Sequence, residues 1–267
     1  SVSLQISVAQ RAPSTRGQVA LVYGIALGTA AVVIAPLSAL LWRSLTRTTP
    51  GATRFTLAGW RAVTSSTTLS AISTSTLFAL CAMVIATVLG LMVALGVAYG
   101  SPRFVWLERI SVLPLTVSAV TIGLGILITY DTAPYDFRST WIITPLAHSL
   151  IALPLVVRIV LPVVQQIPRG LQSVASTLGA TPLQTWLTVD RPLMSRAVGA
   201  SAAIAFAISI GEFGATSFLT RRGSETLPVT ISRLLSRPGD ALRTQAYALC
   251  VIIVVISMIA IFLIDML

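Results

Sequence analysis

The feature that leaves this chain the fewest options is a series of long, uniformly apolar runs. Ala71 to Tyr99, Ile110 to Tyr130, Trp141 to Val164, Ala197 to Leu219 and Ala246 to Ile264 each reach the roughly 20 residues that a helix needs to cross a bilayer. A further run, Val19 to Trp42 with Pro36 late in it, brings the total to about six. In hydrocarbon every backbone N–H and C=O must be satisfied within the protein, so only helices and closed barrels can span it. Barrel strands are short and alternate between apolar and polar residues. These runs do neither, and the expected fold is all-α, a polytopic membrane helical bundle of about six transmembrane helices.

Composition narrows the function. Of the 267 residues 55% are hydrophobic and only 10% charged, whereas a soluble domain carries roughly 25% charged residues. All 18 basic residues are arginine, so lysine chemistry is absent. The net charge of +10 raises the question of nucleic acid. The arginines are scattered over many short loops without a concentrated patch, which argues against it. Cys81 and Cys250 both fall inside apolar runs and no spaced Cys/His set accompanies them, so neither a metal site nor a disulfide framework is suggested. No cofactor is implied. Gly-x-Ser-x-Gly, His-Glu-x-x-His and Gly-x-x-x-x-Gly-Lys are all missing, so no catalytic residue is assigned.

The runs divide the chain into a polar tail or linker, residues 1–17, and a transmembrane domain, residues 18–267. A Thr/Ser-rich segment, Arg43 to Ser70, and a loop, Asp131 to Ser139, separate spans. Pro145, Pro154 and Pro162 are expected to interrupt the fourth run. Thr220 to Arg243 is a long loop whose half-apolar stretch, Leu227 to Leu235, is too short to span.

Between the fourth and fifth runs lies a polar, helix-compatible island, residues 165–196. Gly170 to Leu178 can form a short helix, and Gly179 fits the left-handed position that ends one. Thr181 is then a good N-cap and Pro182 a good first helical residue. A second short helix is expected from Pro182 to Val189, stopped by Arg191-Pro192. The product is an elbow with Ala175, Ser176, Gly179 and Ala180 on its crown and Leu183, Trp186 and Leu187 on an apolar face, and Ser173 and Thr181 join them as candidate partner contacts. Small residues admit a close partner, and Trp is a common interface anchor.

This island resembles the cytoplasmic signature loop of ABC-importer permeases, whose pattern runs Glu-Ala-Ala, three residues, Gly, nine residues, Ile-x-Leu-Pro. Ala175, Gly179, Val189 and Pro192 fall on the third triplet residue, the Gly, the Ile and the Pro, while Ser173, Val174 and Arg191 depart from the pattern. The resemblance implies a MetI-like permease fold whose elbow seats in a cytoplasmic ABC ATPase subunit. It also implies an extracytoplasmic solute-binding protein, a second permease half, and placement in a bacterial plasma membrane. ATP hydrolysis would belong to the separate subunit.

In the fifth run Glu212 is expected deep within the membrane, where an ionisable group is costly and faces a bundle interior or a wet cavity. Ser209, Gly211, Glu212, Phe213 and Gly214 are therefore candidates for a translocation path or gate. A structural lock between helices is the competing role, with His148 and Arg158 as possible partners. Ser209 through Gly214, continuing to Thr226-Leu-Pro228, resembles the C-terminal half of fused thiamine-type permeases, and iron(III) permeases share the general plan. Molybdate permeases carry a similar Gly-Glu-Phe-Gly-Ala-Thr.

The expected function is a permease subunit moving a small solute by alternating access, with thiamine or iron(III) favoured. A molybdate/sulfate-type permease is the alternative, then a channel or secondary transporter. The arginine count opposes the expected orientation. With the island cytoplasmic, seven loop arginines lie inside and ten outside, including Arg43, Arg47, Arg54 and Arg243.

Overall fold

The structure is a computed structural model that describes residues 15–49, 52–130, 140–221 and 223–265. The expected tail up to residue 14 and the loop Asp131 to Ser139 lie outside the described residues. Thr15 caps helix α1 (Arg16–Leu45) through a reciprocal box with Gln18, so residues 16 and 17 already lie in the first helix. An antiparallel hairpin follows, β1 (Thr46–Thr49) and β2 (Ala52–Phe55), with Arg47 directly opposite Arg54. Then come α2 (Ala58–Val63) and the long α3 (Ser66–Tyr99). The Thr/Ser-rich segment is thus folded for most of its length.

Six spans recur, but two are not straight. Five helical segments are long and apolar enough to cross a membrane, and the sixth is a pair bent by 100°. That pair is α4 (Val105–Val112), extended by a tight turn over Leu113–Thr116, and α5 (Ala119–Thr129). Pro114 lacks the N–H that would continue α4, and the Ser118 hydroxyl accepts from Val120 N–H to start α5 afresh. The expectation of one helix from Ile110 to Tyr130 is corrected accordingly. The fourth run departs the other way. Helix α6 (Ile143–Gln166) continues through Pro154 and Pro162, and Pro145 sits in its first turn, where no intrahelical donor is needed. Flanking helices support it, so the prolines do not interrupt it.

After α6 come α7 (Arg169–Thr177), α8 (Pro182–Thr185) and α9 (Arg191–Ile210). The chain ends with α10 (Thr216–Leu219), α11 (Leu227–Leu235) and α12 (Asp240–Asp265). The half-apolar stretch of the expected loop is therefore helix α11, and its first N–H donates to Ser75 Oγ on α3 at 2.6 Å.

Helices α3, α6 and α9 form the centre of the bundle. Ala71, Ser75, Ala79, Ala82, Ala86, Gly90 and Ala94 recur every three or four residues along α3, and all are buried. In lipid the hydrophobic effect does not drive helices together, so close van der Waals approach along such small-residue faces must. A Cβ at Gly90 would lie 2.4 Å from Val156 Cγ1 of α6, which shows how close that approach is. Helix α1 rests mainly on α12, and its apolar stretch is entirely unburied, as suits a face turned to lipid. The bundle therefore has two polar ends. One carries α7 and α8, and the other carries the hairpin and the first turn of α12.

Candidate functional sites

The elbow is built from its own backbone. Gly179 has φ +86°, the conformation that favours glycine. Ala180 N–H donates to Ala175 O and Gly179 N–H to Ser176 O, which closes α7 with a Schellman motif. Thr181 then accepts from Gln184 N–H at 3.3 Å and donates its own N–H to Gln184 Oε1 at 2.8 Å. One helix is terminated and the next initiated within about four residues, so the corner is stiff without outside help.

The second arm does not stop where expected. Trp186–Asp190 forms a π turn in which Arg191 N–H reaches back five residues to Trp186 O, and the helix runs on into α9. Pro192 in an α-helix would lack its donor and press its ring on the carbonyl four residues back. The wider turn relieves both problems, so Arg191-Pro192 does not end the arm.

Ser173, Ser176, Gly179, Thr181 and Leu183 are exposed, while Ala175 and Ala180 are half-buried. Leu178 and Leu183 are 82% and 66% exposed, leaving large apolar side chains on a polar end of the molecule. Trp186 faces the other way, half-buried against the core cluster that includes Val160 and Met194. A polar cluster absent from the expectations roots the elbow. Gln172 Nε2 donates to Asp190 Oδ1 at 2.7 Å and to Tyr99 OH at 3.3 Å, and Tyr99 OH donates to Asp190 Oδ1 at 3.3 Å. The three residues join the end of α3, helix α7 and the π turn. Asp190 is buried and is the only acid in the island, which is the sequence signal that would have marked it.

The second site is a helix break. Helix α9 ends at Ile210, so Glu212 lies in an irregular stretch before α10 and not in a continuous fifth span to Leu219. Its carboxylate bridges the break. Oε1 accepts from Ala215 N–H at 2.9 Å, and Oε2 accepts from Thr216 N–H at 3.1 Å and Thr216 Oγ1 at 2.8 Å. His148 Nε2 of α6 stands 3.3 Å from Oε2 and 2.6 Å from Thr216 Oγ1, while its Nδ1 is 2.7 Å from Ser209 Oγ. With the proton on Nε2, one chain of donors runs from Ser209 through His148 and Thr216 to Glu212. Arg158, the other candidate partner, is exposed on α6 and makes no ion pair with Glu212.

The remaining candidates divide. Ser209 and Glu212 are buried, Gly214 is half-buried, and Gly211 and Phe213 are exposed. A Cβ at Gly214 would lie 3.1 Å from Val120 N, and one at Gly123 would lie 2.5 Å from Ala215 Cα. The two broken spans thus meet at their breaks. Gly211 and Phe213 line a cavity of about 530 Å³ with Pro228, Ile231 and Cys250.

Residues 86–267, more than half of the chain, match a family described as the binding-protein-dependent transport system inner membrane component. A Salmonella typhimurium protein named as a 2-aminoethylphosphonate transport system permease is 30% identical over 202 residues, covering 75% of this chain and 72% of its own. The sulfate transport system permease CysT of the same organism is 28% identical, covering 77% and 78%. The molybdenum transport system permease ModB of Haemophilus influenzae is 30% identical, covering 57% and 71%. None of these names carries thiamine or iron(III), so the favoured solutes find no specific support in them.

Proposed function

We propose, since the chain belongs to the binding-protein-dependent transport system inner membrane component family, that its elbow is the point where an ATPase subunit takes hold of it. The chain is a multi-pass inner-membrane protein, the permease subunit of an ATP-driven importer and not an enzyme. Such a subunit works with ATPase subunits and a solute-binding protein. The observation that carries the proposal is the exposure of Leu178 and Leu183 on a self-stiffened corner. A rigid lever with an apolar tip suits a groove in a soluble partner, and without lysine this chain has no phosphate-binding loop of its own.

In this reading the elbow and the N-terminal side of α1 face the cytoplasm, and the hairpin and α11 face outward. The chain pairs with a second permease half. Gly211, Phe213 and Gly214, at the meeting of the two breaks, lie along the path or its gate. Glu212 and Ser209 hold that break in shape. The carboxylate is occupied by its own backbone, so it is poorly placed to attract a cationic solute. A small oxyanion of the sulfate, phosphonate or molybdate class suits both this point and the names of the relatives.

The test is Gly179→Asp in the assembled transporter. Transport should be lost while the protein remains inserted, and ATPase subunits should no longer co-purify in full yield. Unchanged co-purification with normal uptake would remove the elbow from the coupling. For the solute, vesicles containing the complete importer should take up one oxyanion in competition with others, and excess thiamine should not compete.

A further inference from the structure

The arginines that crowd the hairpin end have no part in the mechanism above. Folding gathers several of them. A polar recess of about 350 Å³ opens between the end of α1, the hairpin and the first turns of α12, and Arg43, Arg47, Arg243, Asp240, Tyr247 and Trp42 line it. Arg43 donates to Tyr247 OH at 3.4 Å and lies 6.0 Å from the centre of its ring. Arg47 Nε is 3.8 Å from Asp240 Oδ2, a loose contact between two half-exposed groups. Arg243 makes no ion pair among the described residues. Arg54 stands directly opposite Arg47 across the hairpin. Like charges in that position repel, and three guanidinium groups in the recess face one carboxylate. The recess therefore carries a net positive charge.

We propose that this recess binds the phosphate of an anionic membrane phospholipid. Guanidinium forks match phosphate oxygens in pairs, and Arg is less strongly hydrated than Lys, so it suits a site at the edge of lipid. Position selects the lipid over a free anion. The recess lies at the ends of two apolar spans, α1 and α12. Trp42, 64% exposed at its rim, is the residue type that settles at headgroup level. Leu37 and Leu41 are exposed on α1 just below, where acyl chains would lie. This assignment requires neither a particular solute nor a particular orientation of the elbow.

The experiment is native mass spectrometry of the full-length protein released from bilayers holding phosphatidylglycerol or phosphatidylcholine. One phosphatidylglycerol should be retained in preference to phosphatidylcholine. A basic residue near an anionic surface contributes about 1 kcal/mol, so Arg47→Gln and Arg243→Gln should each weaken retention about fivefold. Arg158→Gln, on another face, should leave it unchanged. Asp240→Asn removes the competing carboxylate and should strengthen retention, a gain that misfolding cannot imitate. Equal retention of the two lipids, or indifference to all three recess variants, would overturn the site. Displacement of the lipid by millimolar inorganic phosphate or sulfate would make it a free-oxyanion site and overturn the lipid assignment.

Discussion

At Glu212 a single side chain substitutes for missing helix. Where α9 ends, the N–H groups of Ala215 and Thr216 lose their usual partners, and both carboxylate oxygens accept from them. Glutamine keeps the shape but has one acceptor oxygen, so its amide nitrogen would face a donor. Glu212→Gln is therefore expected to lower stability by about 1–3 kcal/mol, the cost of a buried donor left bare. Thermal unfolding of the purified complex measures this, and an unchanged melting temperature would remove the capping role. Ser209→Ala loses only the outer partner of His148 and should be milder. The sequence made Glu212 conspicuous because acids are rare in membrane spans. It did not reveal Thr216 as a partner, because in the continuous helix expected there both N–H groups would already have been bonded.

At the scale of elements, the elbow was the most legible part of the chain. Gly179, Thr181 and Pro182 announce a helix stop and start by local chemistry alone, and each occupies the position its residue type prefers. Pro192 misled for the opposite reason. A proline signals trouble for an α-helix, but sequence does not say whether the helix ends or widens. The Tyr99, Gln172 and Asp190 cluster was only half legible, since Asp190 stands out as the island's single acid but Tyr99 is 73 residues from Gln172 in the chain. It ties the elbow to α3, one of the three helices at the centre of the bundle. Asp190→Asn preserves volume but weakens the hydrogen bonds from Gln172 and Tyr99, since charged acceptors bind more strongly than neutral ones. The expected result is a higher ratio of ATP hydrolysed to solute moved, with the ATPase still bound. Loss of both activities together would instead mean a simple folding defect, and an unchanged ratio would show that the cluster carries no force.

For the whole molecule, the number of spans was readable because bilayer thickness fixes run length. Their shape was not, since α4–α5 and α9–α10 break where nearby side chains, Ser118 and Glu212, accept from the freed N–H groups. Orientation rests on the elbow, against the arginine count. Thiol labelling decides it, in a background lacking Cys81 and Cys250. A cysteine at exposed Ser236 should react with an impermeant reagent applied outside intact cells, and one at exposed Ser173 should not. The reverse pattern would invert the molecule. If the recess at the hairpin end holds a lipid phosphate, part of the outward positive charge is neutralised by the membrane itself, and the arginine count ceases to be an anomaly.

The π turn also has a consequence for phase. It places one residue more in its turn than an α-helix would, and each residue of a helix turns the chain by about 100°. The wider turn therefore absorbs its extra residue, and the elbow keeps the direction it would have on an α-helix one residue shorter. Deleting Thr188 should return the turn to α geometry with the elbow's aim kept, at a cost of about 3 kcal/mol from the returning Pro192 ring clash. Pro192→Ala added to the deletion should relieve the ring clash and recover both stability and ATPase binding. A double variant that is stable yet binds no ATPase would mean that the width of the turn itself, and not the aim of the elbow, matters to the contact.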